Sequence, residues 1–172
     1  MGQLINRKED NDMKKIISAI FAILLVMALA GCGKPSGENQ TTLPASAAEL
    51  WAKANEVSGF GNMTPVPVGD LSDIYGIDQQ QVEDFIWYMS ENPSLNADET
   101  AIFKLTNESY ANEVKAKFEA RIARQLTVAQ GYSPTEASKL ENAKVAVEGC
   151  WVYYCVGDNS DAMMKVIKNT NK

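Results

Sequence analysis

The chain contains no histidine. Histidine is the usual general base of enzymes and the commonest metal ligand, and it completes the usual serine and cysteine catalytic triads. These kinds of site are therefore excluded, whereas chemistry based on paired carboxylates is still allowed. The sequence favours a non-enzymatic binding or interaction module over a hydrolase or transferase that uses paired carboxylates, and we assign no catalytic residue.

Cysteine is scarce, with three residues in the chain. Cys150 and Cys155 fall in a segment that reads as one strand, so their side chains point to opposite faces. An extended backbone also holds their Cα atoms beyond the roughly 7 Å that a disulfide tolerates. We expect both to be small apolar residues, since free cysteine is commonly buried, with a redox or metal role as the alternative. No cofactor is predicted.

Long apolar runs are absent except for Ile16 to Ala30, which is 15 residues long. A membrane span needs about 20 apolar residues. Four basic side chains precede this run: Arg7, Lys8, Lys14 and Lys15. A basic segment followed by an apolar run of this length is typical of a signal peptide. An uncleaved anchor helix is the alternative.

The apolar run ends at Leu29-Ala30-Gly31-Cys32, where small residues give a peptidase access to the backbone. This tetrapeptide resembles the bacterial lipobox, whose cysteine receives a diacylglyceryl group and becomes the new N-terminus. The resemblance implies that residues 1–31 are a lipoprotein signal peptide. It also implies that lipidated Cys32 holds the protein on the extracytoplasmic face of the cell membrane, where two acyl chains anchor stably.

Basic side chains are few after residue 31, with 12 against 19 acidic ones. This acidic balance argues against nucleic acid as a partner, because phosphate backbones attract basic proteins. It also gives no help in binding anionic lipid, so attachment to the membrane would depend on the acyl chains.

Residues 32–45 are rich in small and polar residues and are predicted to form a flexible tether. Residues 46–172 are predicted to form a single α+β domain. Ser46 and Glu49 match a capping box at the start of its first helix, which Gly59 and Gly61 end. That helix has an apolar stripe of Leu50, Ala54 and Val57. Residues 63–69 contain two prolines and indicate a connector or an edge strand, and residues 70–78 contain a turn.

The remainder reads as two strand-strand-helix units. The first has strands at 82–89 and 100–106, followed by a helix that Asn107 or Ser109 caps. The apolar residues of that helix recur at helical spacing: Val114, Phe118, Ile122, Leu126 and Ala129.

The second unit has strands at 143–147 and 150–156, joined by a turn with Glu148 and Gly149 at its centre. Asp158 or Ser160 caps the final helix, whose inward residues are predicted to be Ala162, Met163, Val166 and Ile167. After the N-terminal helix, the two units are expected to form an antiparallel four-stranded sheet with helices packed on one face.

Charged clusters are assigned no function. Five acidic residues could gather calcium, but their spacing does not match an EF-hand loop, and solvated charge is preferred: Asp70, Asp73, Asp78, Glu83 and Asp84. The long helix carries Lys115, Lys117, Arg121 and Arg124 among acids. Mixed charge on a solvent-facing side is preferred there over a basic ligand-binding patch. No metal site is predicted.

The predicted hairpin places Trp151 and Tyr153 on one surface, and Tyr88 joins them if Asp84 lies there too. One interpretation is that the first helix covers this surface, because an uncovered row of aromatics in water would be costly. The other is that the three residues bind an envelope protein or a glycan, since tryptophan and tyrosine dominate binding hot spots.

The chain resembles the small bacterial lipoproteins called domain of unknown function 4358. The resemblance rests on the lipobox with its short tether, the first helix and hairpin, the strand start Asp98-Glu99-Thr100-Ala101-Ile102-Phe103 and the helix with Arg121. It covers most of residues 46 to 168 and implies a secreted, lipid-anchored α+β domain. That family has no established activity, so the resemblance implies no catalytic residue.

Overall fold

The structure, a computed structural model, describes residues Ala45–Lys172. The predicted signal peptide and Cys32 lie outside the described residues. The described part contains five α-helices: α1 (Ala47–Ser58), α2 (Asp70–Asp73), α3 (Ala111–Ala129), α4 (Pro134–Glu141) and α5 (Ser160–Thr170). Its five strands are β1 (Met63–Pro65), β2 (Val82–Ser90), β3 (Glu99–Leu105), β4 (Lys144–Glu148) and β5 (Trp151–Val156). Short 3₁₀ segments span Gln79–Gln81 and Glu108–Tyr110. None of these helices is long and apolar enough to cross a membrane.

All five strands form one antiparallel sheet in the order β1-β2-β3-β5-β4. The α+β class and the two predicted strand pairs are confirmed. The strand number is not four, because β1 adds to the outer side of β2 and pairs Pro65 with Tyr88. Proline is tolerated there because an edge strand leaves backbone donors unpaired on its outer side.

Helix α1 begins and ends at the capping residues predicted from the sequence. The Ser46 side chain accepts from the Glu49 backbone N–H, the Glu49 side chain accepts from the Ser46 backbone N–H, and Gly59 ends the helix with φ +70°. Leu50 and Ala54 are buried, as predicted. Val57 is 36% exposed, so its assignment to the apolar stripe was wrong.

Helix α4 was not predicted, although a local signal for it exists. Ser133 is its N-cap and accepts from the Glu136 backbone N–H, and Pro134 occupies the first turn. A serine cap followed by proline is a recognised helix start. The stretch is only 8 residues long, too short for a helical repeat of apolar residues to identify it.

Helices cover both faces of the sheet, which corrects the expectation of one covered face. Helices α3 and α4 pack on the face that includes Phe103, Val152 and Tyr154. Helices α1 and α5 pack on the opposite face, which includes Ile102 and Tyr153. Every residue of β5 is buried, and a continuous apolar run of this kind is typical of a strand covered on both sides.

The β4–β5 hairpin has a different register from the predicted one. Glu148 pairs with Trp151 and Val147 with Val152, so Gly149 and Cys150 are the central turn residues. Gly149 has φ +57° and Cys150 does not have positive φ. Glycine at the first central position suits a type II′ turn, whereas the predicted turn would have placed Glu148 there. The division of residues between the two faces is nevertheless as predicted.

The other helix caps agree only in part with those predicted from the sequence. Asn107 accepts from the Ser109 backbone N–H at 2.9 Å and caps the short 3₁₀ turn before α3. Neither Asp158 nor Ser160 caps α5, because Asn159 holds the N-cap position without a side-chain hydrogen bond. In α5 the buried side includes Met164, and Ala162 is exposed rather than inward.

Candidate functional site

A buried carboxylate lies at the start of β3. Glu99 is 1% exposed and lies on the α3 side of the sheet. Its oxygens accept hydrogen bonds from Arg121 Nε at 2.8 and 3.0 Å, from the Tyr154 hydroxyl at 3.1 Å and from Gln125 Nε2 at 3.3 Å. The indole N–H of Trp87 also donates to it. A buried carboxylate with this many donors is hydrogen-bonded within the protein and is not open to substrate.

Arg121 is held as firmly as the carboxylate. Its guanidinium carbon lies 5.0 Å from the centroid of the Tyr75 ring and 5.7 Å from that of Trp87. Burial lowers the pKa of Arg121 and is the largest single effect, but the charge and hydrogen bonds of Glu99, with the neighbouring Tyr154 and Tyr75, together outweigh it and leave the pKa above its ordinary value. The Arg121–Glu99 pair uses Nε, so the N–H groups of the two terminal nitrogens lie outside this pair.

Tyr154 completes this polar centre, and we name Glu99, Arg121, Gln125, Trp87 and Tyr154 the Glu99 centre. The pKa of Tyr154 is raised well above its ordinary value, mainly by burial and secondly by the charge of Glu99. The hydroxyl therefore stays protonated and donates. Arg121 and Gln125 are four residues apart on α3, so they face the sheet together. This centre fixes the position of α3 on the sheet.

The placement of Arg121 corrects a sequence-based interpretation. Its side chain is 16% exposed and ion-paired, so it is not part of a solvent-facing row of mixed charge. The preceding lysines do belong to such a row: Lys115 pairs with Glu119 at 3.3 Å and Lys117 with Glu113 at 3.2 Å.

A second buried ionic cluster begins one residue before Glu99. Lys139 Nζ lies 2.9 Å from Asp98 Oδ1 and 3.4 Å from Glu136 Oε2. Glu136 Oε2 also accepts from the backbone N–H of Ala97 at 2.6 Å. All three charged side chains are buried. These contacts hold α4 against the start of β3, which is a structural role.

Two cavities flank α3, and Arg121 and Arg124 line both of them. The first, of about 500 Å³, is named the α3–α4 cavity and is lined by Pro93, Ser94, Ala97, Arg121, Arg124, Gln125, Val128, Ala129, Tyr132 and Leu140. The second, of about 590 Å³, lies beside Tyr75 and Trp87 and includes Asp73 and Lys117 in its lining. Arg124 is exposed, and among the described residues no carboxylate pairs with it.

The acidic residues that line the described cavities are exposed: Asp73, Asp158 and Asp161. Neither cavity beside α3 is lined by two acidic residues. A smaller cavity of about 300 Å³ is lined by Asp158 and Asp161, together with Lys139. Asp161 is 75% exposed and pairs with Lys144 at 3.2 Å. A solvated acid beside a lysine lacks the burial that tunes a catalytic carboxyl.

Two of the five acidic residues weighed as calcium ligands have protein partners. Asp84 Oδ2 accepts from the Ala47 backbone N–H at 2.7 Å, and Glu83 pairs with Lys104. Over Ala45–Lys172 no group of three or more aspartate, glutamate or cysteine side chains could hold a metal ion.

The aromatic residues proposed for partner binding share one face, as predicted. Trp151 and Tyr153 are 8% and 0% exposed and lie beneath α1 and α5. Tyr88 is half-buried and stacks on Trp51 of α1, with ring centroids 5.1 Å apart and an interplanar angle of 21°. The covering helix, one of the two alternatives left by the sequence, is therefore present, and α5 covers the face as well.

Both described cysteines are free. Cys155 is buried in the core of β5, and burial raises the pKa of its thiol to about 12. A thiol with so high a pKa is neutral and unreactive at physiological pH. Cys150 lies in the hairpin turn rather than in the strand.

The Glu99 centre was not predicted as a unit from the sequence. Its residues come from β2, β3, α3 and β5, with Tyr75 stacked beside them. The only signal was that the Asp98-Glu99 strand start and the Arg121 helix both occur among the motifs of the resembling family. Those two motifs meet in the ion pair between Glu99 and Arg121.

Comparison with known proteins identifies the family. No curated protein and no solved structure matches the chain. The model of the family described as "Domain of unknown function (DUF4358)" matches residues 56–157, which include β2, β3, α3, α4, β4 and β5. This match covers more than half of the chain and contains the Glu99 centre. The chain belongs to the DUF4358 family.

Proposed function

We propose that this protein is a lipid-anchored lipoprotein of the cell envelope and that its folded domain is a non-enzymatic binding module. Its binding site is the α3–α4 cavity. The observation that carries this proposal is the pair of guanidinium groups lining the cavity, one fixed by Glu99 and one with no carboxylate partner among the described residues. Apolar walls with a few fixed polar groups are the usual composition of a ligand site.

The enclosure of the buried acidic residues by protein partners favours binding over catalysis. Glu99 is enclosed by donors, and Asp98 and Glu136 share Lys139. None of these three carboxylates lines the α3–α4 cavity. A general acid or base must reach a proton of the substrate, and these carboxylates do not meet that requirement.

The proposed anchor gives a direct prediction for Cys32. Replacing Cys32 with serine removes the thiol that would carry the diacylglyceryl group, so the variant is expected to keep residues 1–31 and to carry no lipid. Mass spectrometry of the N-terminal peptide measures both properties. Cys150→Ser is the matched control and should be lipidated and cleaved like the wild type. A wild-type protein with a free Cys32 thiol, or with Met1–Gly31 intact, would refute the anchor.

The proposed site is tested by crosslinking from defined positions in living cells. A photo-reactive amino acid at Val128, which lines the α3–α4 cavity and is 62% exposed, is expected to form a discrete adduct. The same amino acid at Ala123, an exposed residue of α3 outside the cavity lining, is the control. Adding Arg124→Gln should abolish the Val128 adduct, because it removes the unpaired guanidinium.

Two outcomes would contradict the site. Equal adducts from Val128 and Ala123 would indicate non-specific encounter. A Val128 adduct that persists in the Arg124→Gln protein would show that the guanidinium is not needed. Since Arg124 is exposed and makes no ion pair with a described residue, its replacement should leave stability within about 0.5 kcal/mol of the wild type.

A further inference from the structure

We propose that the α3–α4 cavity binds a small molecule with an oxyanion attached to an apolar body. This inference depends on the proposed binding function and names the chemical class of its ligand. It is carried by the charge of the cavity, by the division of its lining into polar and apolar parts, and by its size.

The charge of the cavity is positive, although the protein as a whole is acidic. Arg121 and Arg124 are the charged residues of its lining, and no aspartate or glutamate lines it. Glu99 balances Arg121, whereas Arg124 has no carboxylate partner in the described part of the chain. The cavity therefore carries a net positive charge that an anion would neutralise.

Geometry makes the arginines suited to an oxyanion. A guanidinium offers parallel N–H donors that match two oxygens of a carboxylate or a phosphate. Arg121 is held by Glu99, Tyr75 and Trp87, so it loses little side-chain freedom when a ligand binds. The N–H groups of Gln125 and the hydroxyl of Ser94 are further polar groups in the same lining.

The apolar part of the lining defines the rest of the ligand. Val128 and Tyr132 are 62% and 54% exposed, although both are large apolar side chains. They line the cavity together with Pro93, Ala97 and Leu140. Covering such surface is favourable because it removes apolar area from water. A plain inorganic anion would leave this surface uncovered, so an apolar body is required.

Size restricts the ligand to a small molecule. The cavity volume of about 500 Å³ lies within the range of ordinary small-molecule sites. A naphthalene ring with one anionic group is small enough to enter such a site, and its ring can stack on Tyr132. This defines a set of probes that share a ring and differ in charge.

The test uses the full-length protein in micelles of an uncharged detergent. Four probes are titrated by fluorescence: 2-naphthoate, 2-naphthyl phosphate, 2-naphthalenemethanol and 2-naphthylmethylamine. Both anions are expected to bind about tenfold more tightly than the alcohol, as expected for a charge-assisted hydrogen bond, and the amine is expected not to bind. The ratio of the two anion affinities distinguishes a carboxylate ligand from a phosphate ester.

Two variants assign the binding to the cavity. Arg124→Gln should weaken the binding of the anions about tenfold and leave that of the alcohol unchanged. Micelles without protein measure the partition of each probe into the detergent. Tyr132→Ala should weaken the binding of the anions and of the alcohol by the same factor, because it removes only apolar contact.

The inference is overturned if the alcohol binds as tightly as the anions, or if Arg124→Gln leaves anion binding unchanged. Its failure is distinguishable from failure of the proposed function. If Val128 still forms its Arg124-dependent adduct in cells while the anions do not bind, the site stands and the ligand class is wrong. If both the adduct and anion binding are absent, both proposals fail.

Discussion

Replacing Glu99 with glutamine is expected to lower the free energy of unfolding by about 3 to 5 kcal/mol, because removing one partner of a buried ion pair leaves the other charge uncompensated. Glu99 is 1% exposed, and Arg121 is enclosed by Tyr75 and Trp87. The amide keeps the size of the side chain, so the loss reports charge rather than packing. Urea denaturation at pH 7, followed by far-UV circular dichroism, measures it.

The control for Glu99 is an ion pair on the surface of the same helix. Glu119→Gln breaks the exposed pair with Lys115 and should change stability by less than about 0.5 kcal/mol. The double variant Glu99→Gln/Arg121→Met should recover part of the loss, since it removes the orphaned charge as well. A Glu99→Gln protein as stable as the wild type would show that the Glu99 centre does not hold α3 in place.

Replacing Trp151 with alanine is expected to cost about 3 to 5 kcal/mol, as for a buried tryptophan elsewhere. Trp151 is 8% exposed beneath α1 and α5, and it stacks on Tyr153 with ring centroids 6.3 Å apart. Its removal leaves a large cavity between the sheet and these helices. The same denaturation experiment measures the loss, with the exposed Tyr132→Ala as a control that should change stability little.

The outcome for Trp151 also decides between the two interpretations of the aromatic face. A large loss of stability supports a face that is covered by helices. A Trp151→Ala protein that is as stable as the wild type but loses its crosslinked partners would instead support partner binding by Trp151, Tyr153 and Tyr88. A stable protein that keeps every partner would contradict both interpretations.

The mistaken placement of Arg121 has a plain physical origin. The sequence indicated that Arg121 lies on a solvent-facing side of its helix, because charged residues are usually solvated. Its partner Glu99 is 22 residues earlier, and Tyr75 lies in the turn that follows α2. Periodicity along one helix carries no information about a carboxylate that another strand places opposite it.

The hairpin shows a different limit, since its error is local. Gly149 correctly marks the turn, and its positive φ is required. A glycine of this kind can occupy either central position of a two-residue turn, in type I′ or II′ geometry. Moving Gly149 from the second position to the first changes every pairing along β4 and β5 while leaving the same residues on each face.

The sequence by itself determined what depends on neighbouring residues: the capped start and glycine end of α1, the two strand pairs, the period of α3 and the membership of β5 in the core. These features follow from local hydrogen bonds and from spacing along the chain. Only the tertiary structure decided that helices cover both faces of the sheet, that β1 adds a fifth strand, and that Glu99 meets Arg121 beside the α3–α4 cavity. Each of these depends on contacts between residues far apart in sequence, whose geometry is set by how the sheet and helices pack.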